Sequence, residues 1–304
     1  MAEPRGQELV DRYRWNYGIA KGVPLTEAMI LAHWSLEQKL TKELLESSPE
    51  NRWETFERCY TTLYGELDWL NRLVGSASTT NLAERYRPWT ELIGPSPKFI
   101  YEVGAGKGVM IEYLAQCGHQ CTATESTRER GAKHVSTHAN LRWTVTDGVH
   151  FGHFEPPETY DFVLSDNLIE HLHPDDLHAH LEGACEILKR GGQYLMAVPH
   201  RWFGPWDISK VFKHEIASGM HLKEYTHREL HAATLRAGFS EIRLVRISSP
   251  NNTHPYPASA SRLRWVCLME TLFAPFAQPI LHGRLVHMAT RVGISPLVFL
   301  AAIK

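Results

Sequence analysis

A glycine cluster at the end of an apolar run constrains the fold of this chain more than any other feature. Residues 99–103 read FIYEV, and Gly104, Gly106 and Gly108 follow before the helical pattern VMIEYLAQCG. Glycine adopts backbone conformations that other residues avoid, and it lets a ligand approach the main chain closely. A strand, a glycine loop and a helix in this order predict a site for a nucleotide-like cofactor.

Two carboxylates support a cofactor site rather than a bare tight turn. Glu102 stands two residues before the first glycine, and Glu125 closes the next predicted strand, QCTATE. A carboxylate at the end of that second strand can bind both ribose hydroxyls of a nucleotide. Glu102 lies at the mouth of the loop, where its charge would repel a phosphate and attract a cation.

The spacing of the glycines argues against two common nucleotide sites. A dinucleotide fingerprint has a third glycine where this chain has Val109, so a nicotinamide oxidoreductase is disfavoured. A P-loop requires Gly-Lys-Ser/Thr, whereas Lys107 is followed by Gly108. Neither a pyrophosphate nor a triphosphate is well accommodated, which leaves a cofactor of another kind.

Strand and helix patterns alternate from Phe99 onwards, after an N-terminal part that reads as helices with a break at Pro49–Glu50. Alternation of this kind predicts an α/β fold with a mostly parallel sheet covered on both faces. The final run, PLVFLAAIK, reads as one more strand. We divide the chain into an N-terminal helical cap region, 1–95, and a main domain, 96–304, with lid segments 200–226 and 258–292.

Four motifs in this order make the chain resemble the class I S-adenosylmethionine-dependent methyltransferases from about residue 97. They are EVGAGKG with Glu125, VTDG at 145–148, YDFVLSDNLIEHL at 160–172 and GGQYLMAVP at 191–199. The resemblance implies a Rossmann-like sheet of seven strands, six parallel and the last antiparallel, with a helical insertion before the last strand. It also implies S-adenosyl-L-methionine as the cofactor and S-adenosyl-L-homocysteine as the product.

The same resemblance assigns the parts of the cofactor to residues. Glu102 would bind the methionine amino group, Glu125 the ribose hydroxyls and Asp147 the adenine N6. Asp166 and Asn167 would end the fourth strand near the methionine and the transferable methyl. The predicted cofactor-binding set is Glu102, Gly104, Ala105, Gly106, Gly108, Glu125, Ser126, Asp147, Gly148, Asp166 and Asn167.

A hydroxyl acceptor benefits from a base whose pKa lies near the working pH, and histidine meets that condition. His200 is the first candidate because it immediately follows the fifth predicted strand, and His171 and His221 come next. The pair Glu170–His171 also resembles a metal-binding stretch of the ubiquinone-type O-methyltransferases. Asn167 replaces the first carboxylate of that stretch, so we predict that no metal is bound.

Composition limits the classes of partner and the compartment that we predict for this chain. The net charge is -2, which does not suggest a chain that coats nucleic acid. The five cysteines are scattered, which favours a reducing, cytoplasmic compartment. No apolar run is long enough to predict a transmembrane helix. Transient lipid contact and a homodimer are further predictions on partners.

The added helical segments predict an enclosed pocket for a discrete molecule. We therefore expect a small or medium-sized, partly apolar acceptor that is methylated at oxygen, such as a specialised metabolite or a sugar- or lipid-linked precursor. A carbon or nitrogen acceptor remains open at this point. A non-catalytic module that binds S-adenosylmethionine is the alternative from another class, and turnover distinguishes the two.

Overall fold

The computed structural model describes residues 3–74, 81–127, 138–249, 252–277 and 279–304. Their centre is one mixed sheet with the strand order β3-β2-β1-β4-β5-β8-β6-β7. The strands are β1 Phe99–Glu102, β2 Gln120–Glu125, β3 Leu141–Val145, β4 Tyr160–Asp166, β5 Leu188–Pro199, β6 Glu241–Ser249, β7 Asn252–Ser259 and β8 Leu297–Ile303.

Strands β1 to β5 pair in parallel, whereas β8 runs antiparallel to both β5 and β6. The predicted α/β class is confirmed, but the predicted count of seven strands is wrong. The eighth strand, β7, pairs antiparallel with β6 at the edge of the sheet. It contains Pro255 and Pro257, which lack an N–H donor and which an edge strand tolerates.

Helices flank the sheet and precede it in the described part of the chain. They are α1 Gly6–Tyr17, α2 Glu27–Leu45, α3 Arg52–Glu66, α4 Asp68–Val74, α5 Leu82–Arg85, α6 Arg87–Ile93, α7 Val109–Gln116, α8 Leu177–Ile187, α9 His227–Arg236, α10 Ala260–Phe273 and α11 Arg284–Arg291. Among the described residues, no helix is both long and apolar enough to cross a membrane.

Local sequence explains several of these boundaries. Helix α9 begins with a capping box, in which the Thr226 hydroxyl accepts from the Glu229 N–H and the Glu229 carboxylate accepts from the Thr226 N–H. Helix α8 ends at Ile187. The chain there passes into β5, and Gly191 donates its N–H to the Lys304 carbonyl beside β8.

The N-terminal helices divide between two cores. Helices α1 to α4 pack with residues 208–222 into an apolar core of their own. Helix α6 instead packs on the sheet, where the Trp89 ring lies 4.7 Å from that of Phe299 in β8. Packing therefore changes between α4 and α6 rather than at residue 95.

The two lid segments differ in how they are placed. Segment 200–226 is mostly irregular and lies against α1 and α2. Arg12 of α1 donates to the Val211 and Lys210 carbonyls, and Trp34 of α2 stacks on Phe212. Segment 258–292 forms α10 and α11, and α10 packs on β6 and α9 as a side layer. Its connecting turn reaches the carboxyl end of β5, where Leu281 donates to the Trp202 carbonyl.

Candidate active site

The glycine loop between β1 and α7 has the conformation that its sequence requires. Gly104, Gly106 and Gly108 have φ values of 65°, 59° and 72°, in the left-handed region that favours glycine. A Cβ atom on Gly104 would lie 2.6 Å from Cδ1 of Leu168, which follows β4. The loop therefore lies directly against the carboxyl end of β4, with no space for a larger residue at Gly104.

Glu125, at the end of β2, fixes this loop. Its Oε1 accepts the Gly106 N–H at 2.8 Å and its Oε2 accepts the Ser126 N–H at 3.1 Å. Burial raises the pKa of Glu125, and these two backbone hydrogen bonds oppose that rise. Each carboxylate oxygen keeps a further lone pair, so the side chain is oriented and can still accept from ribose hydroxyls.

Glu102 is buried at the end of β1, and its Oε2 has no hydrogen-bond partner within the described part of the chain. Burial raises its pKa well above the usual range, and the charges of Asp166 and Glu125 raise it further, whereas the Ile111 N–H opposes them. Asp166 is exposed at the same strand edge, yet desolvation raises its pKa too, against the influence of Arg85.

This concentration of carboxylates is unfavourable unless a cation joins it. S-adenosylmethionine carries an ammonium and a sulfonium, so the orphaned oxygen of Glu102 and the neighbouring charge of Asp166 fit that cofactor.

Asp147, beyond β3, accepts the Val149 and His150 N–H groups at 2.8 and 2.9 Å. Its Oδ2 also lies 2.6 Å from Nδ1 of His150, so any contact with adenine uses the lone pairs that remain.

Two residues at the junction of α5 and α6, Arg85 and Tyr86, belong to no sequence motif but interact electrostatically with these carboxylates. Burial raises the pKa of Asp166, and the charge of Arg85 opposes that rise. Burial also raises the pKa of Tyr86; Arg85 opposes that rise, whereas the charges of Glu102 and Asp166 add to it. The methionine part of the cofactor also carries a carboxylate, for which Arg85 is the matching charge.

His200 is not placed as a base, which corrects its ranking as first candidate. It is fully buried, its Nδ1 accepts the Trp202 N–H at 3.1 Å, and its Nε2 lies 2.8 Å from Glu270. Burial lowers its pKa to about 4. Because both ring nitrogens are already hydrogen-bonded within the protein, neither is available to an acceptor.

Glu270 explains the burial of His200. Its carboxylate also accepts from His227 Nδ1 at 2.7 Å and from the N–H groups of His227 and Arg228 at the start of α9. Burial raises the pKa of Glu270, but hydrogen bonds from the two histidines hold it well below its usual range. The histidine nitrogens that face Glu270 carry protons, so hydrogen bonds rather than an ion account for this cluster.

The other two histidine candidates come together with Glu170. The ligand-type atoms of Glu170, His171 and His221 all lie within 4.8 Å of one another. His171 Nδ1 lies 2.9 Å from the Met220 carbonyl oxygen, which can only accept, so that nitrogen carries a proton. His221 Nδ1 lies 2.8 Å from the Glu224 carboxylate.

The electrostatics of this cluster suit proton transfer. Glu170 is fully buried, neither of its oxygens has a hydrogen-bond partner among the described residues, and burial raises its pKa to about 7. Burial lowers the pKa of His221, but the hydrogen bond that His221 donates to Glu224 and the charge of Glu170 outweigh it and raise the pKa to about 9. Near neutral pH, Glu170 can exchange its proton while His221 stays cationic.

The cluster lies where the methyl group is expected, in the turn that directly follows Asp166 and Asn167. Asn167 has φ 54° and donates its amide to Asp166 at 2.9 Å, so it stays outside the cluster. Glu224, the partner of His221, also lines a cavity of about 610 Å³. Its described lining residues are Arg201, Glu215, Ile216, Ala217, Leu222, Lys223, Glu224, Ala277 and Pro279.

Fold and site together define an S-adenosylmethionine-dependent methyltransferase of the class I, Rossmann-like type. Residues 79–267 match the family model described as a methyltransferase domain, and the chain belongs to that family. A comparison with curated protein sequences found no match.

Solved structures agree with this fold. A phosphoethanolamine N-methyltransferase of Haemonchus contortus, with phosphomonomethylethanolamine and S-adenosylhomocysteine bound, is 18% identical; the match covers 85% of this chain and 61% of that one, with a TM-score of 0.51. An S-adenosylmethionine-dependent methyltransferase of Archaeoglobus fulgidus is 16% identical over 81% of this chain and 99% of that one, with a TM-score of 0.47. The similarity to the Haemonchus contortus enzyme, at 18% identity, shows the fold alone.

Glu125→Ala is expected to weaken binding of S-adenosylmethionine by about 1.5–3 kcal/mol, the scale of hydrogen bonds to a charged group. The variant loses both the ribose contact and the anchor of the Gly106 N–H. Calorimetric titration measures the change, with Glu182→Ala on the exposed face of α8 as the matched control. NAD should bind to none of these proteins. Unchanged affinity in Glu125→Ala would remove this residue from the cofactor site.

Proposed function

We propose that this methyltransferase transfers the methyl group to an oxygen atom of a small or medium-sized, partly apolar acceptor. The observation that carries the proposal is the Glu170 carboxylate, buried without a hydrogen-bond partner in the described chain, beside His171 and His221. A buried carboxylate without a hydrogen-bond partner destabilises the fold unless a ligand supplies the missing donor. A hydroxyl proton is a matching donor.

S-adenosylmethionine supplies an electrophilic methyl group, and the protein contributes alignment and proton removal. Glu102 and Asp166 would hold the cationic end of the cofactor, Glu125 its ribose and Arg85 its carboxylate. Glu170 would take the hydroxyl proton as the new oxygen–carbon bond forms and the carbon–sulfur bond breaks. The cationic His221 stabilises the Glu170 carboxylate until it is protonated.

The acceptor class follows from the cavity of about 610 Å³ that adjoins Glu224. This volume is typical of sites for small and medium-sized ligands. Ile216, Leu222 and Ala277 give the cavity an apolar part. Its polar part combines two basic side chains with two acidic ones, Arg201, Lys223, Glu215 and Glu224. A partly apolar molecule with polar substituents fits this lining better than a polymer does.

The test is methyl transfer from S-adenosylmethionine with a labelled methyl group to panels of phenols, alcohols, amines and carbon nucleophiles of similar size. We expect label in phenols or alcohols, with the methylated atom identified by mass spectrometry and NMR. Label confined to amines or to carbon would overturn the oxygen assignment. Cofactor binding without transfer to any panel would favour a non-catalytic binding module.

Methyl transfer is expected to persist in the presence of EDTA. Asn167 is held by Asp166 and brings no charge, and Nδ1 of His171 and Nδ1 of His221 are each already hydrogen-bonded within the protein. Magnesium prefers several oxygen ligands, of which this cluster offers only the carboxylate of Glu170. Loss of turnover in EDTA and its recovery with Mg²⁺ or Mn²⁺ would instead make Glu170, His171 and His221 metal ligands.

A further inference from the structure

Helices α10 and α11 expose an apolar surface on the side of the molecule away from the sheet. Trp265, Leu268 and Leu272 have 52%, 51% and 57% of their surface exposed, and their spacing places them on one face of α10. Phe276 in the next turn and Met288 in α11 are exposed to a similar extent. We call these five residues the apolar stripe.

Basic residues outnumber acidic ones in the segment that carries the apolar stripe. Residues 260–304 contain five of the 32 lysines and arginines of the chain but only one of its 34 acidic residues, Glu270. Glu270 is fully buried in its cluster with His200 and His227. Arg264 and Arg284 are exposed on the same two helices as the stripe. The segment therefore adds positive charge to this side of the molecule, although another segment places Glu215 3.3 Å from His282.

Three further arginines share a pocket at one end of the stripe. Arg246, Arg262 and Arg291 line a cavity of about 250 Å³ together with Trp265, and its described lining contains no carboxylate. The Trp265 indole donates to the Val292 carbonyl at 2.9 Å, which fixes the ring at the edge of the pocket. Guanidinium groups gathered in this way suit a phosphate group.

We propose that α10 and α11 form a face that binds the surface of an anionic phospholipid bilayer. The apolar stripe enters the interface between headgroups and acyl chains, and the arginine pocket holds a lipid phosphate. A helix surface that combines tryptophan, leucine and phenylalanine with arginine is typical of proteins that lie on membranes. The arginine pocket favours a phosphate-bearing surface over a second copy of this chain, because its described lining offers arginines and no carboxylate.

The position of the face also connects it with the acceptor cavity. Ala277 follows Phe276 in the chain, and it lines the cavity that adjoins Glu224. An acceptor held in the bilayer would thus enter the cavity beside the stripe. This last step rests on the proposed function, whereas binding of the face to a bilayer does not.

Sedimentation with vesicles tests the proposal without any acceptor. The full chain is mixed with vesicles of phosphatidylcholine alone or of phosphatidylcholine with phosphatidylglycerol. We expect binding to the anionic vesicles only, with a marked decrease at high salt because surface charges are screened. Arg262→Ala with Arg291→Ala should weaken binding about 30-fold, which corresponds to about 1 kcal/mol for each arginine near an anionic surface.

Leu268→Ser with Leu272→Ser should weaken binding at least about tenfold, since each change removes buried apolar area. The matched controls are Leu45→Ser in α2 and Arg190→Ala near the start of β5, both exposed and outside the face. Every variant should still bind S-adenosylmethionine, which shows that it is folded. Absence of binding to anionic vesicles, equal binding to neutral ones, or unchanged binding of the face variants would overturn the proposal. A dimer that Leu268→Ser with Leu272→Ser dissociates would make the face an interface between copies instead.

Discussion

Gly106→Val is expected to abolish measurable binding of S-adenosylmethionine, with a loss of affinity greater than about 100-fold. Gly106 has φ 59°, a conformation that costs a β-branched residue about 1–3 kcal/mol. A distorted loop also loses the hydrogen bond between the Gly106 N–H and Glu125, and with it the orientation of the ribose-binding carboxylate. That loss is worth about another 1.5–3 kcal/mol, so the two together come to about 2.5–6 kcal/mol, and all but the lowest end of that range exceeds the roughly 2.7 kcal/mol that a 100-fold change requires.

A matched substitution at a second glycine distinguishes backbone strain from loss of the cofactor site. Gly18 has φ 65°, at the end of α1, and a Cβ atom there would meet nothing within 4 Å. Gly18→Val therefore carries similar backbone strain without touching the glycine loop, and we expect it to keep its affinity for the cofactor. Calorimetric titration and thermal unfolding of both variants provide the comparison. If Gly106→Val binds as tightly as the unmodified protein, the cofactor lies elsewhere.

Sequence alone brought together the residues that are predicted to bind the cofactor, because local structure places them. Glu102, Glu125 and Asp166 each end a strand, and parallel neighbours bring those ends to one edge of the sheet. The alternation of strands and helices predicted a mostly parallel sheet but not the order of its strands. Arg85 could not be found in this way, because its influence on Asp166 depends on where the chain places α5 and α6.

The surroundings of the candidate histidines, in contrast, are set by residues far away in the sequence. The environment of His200 is decided by Glu270, 70 residues further along the chain, and that of His171 by Met220 and His221. No periodic pattern signals such contacts, so position after a strand favoured a histidine that the structure buries and pairs with Glu270. The edge strand β7 escaped prediction for a related reason. Its prolines argue against a strand, and only pairing with β6 makes it one.

Glu170→Gln is expected to lower kcat by about 10²–10⁴-fold, the usual contribution of a general base. The pKa of Glu170 is about 7, so the rate for the unmodified enzyme should rise with pH through about 7 as this carboxyl loses its proton. The rate should fall again above about pH 9, when His221 loses the charge that faces Glu170. In Glu170→Gln the rise near pH 7 should disappear, because glutamine has no proton to lose.

Stability and binding distinguish a lost base from a damaged fold. The folded state raises the pKa of Glu170, so it disfavours the charged form, and this penalty grows as pH rises above the unfolded value. Glu170→Gln removes that buried charge and should unfold at a temperature no lower than the unmodified protein at pH 8, with cofactor affinity retained.

His200→Asn is the matched test of the other candidate base. It breaks the bond to Glu270 and should lower the unfolding temperature, yet keep the rise in rate near pH 7. If that rise survives in Glu170→Gln and disappears in His200→Asn, the proton acceptor is His200, reached through a rearrangement of α9 and α10.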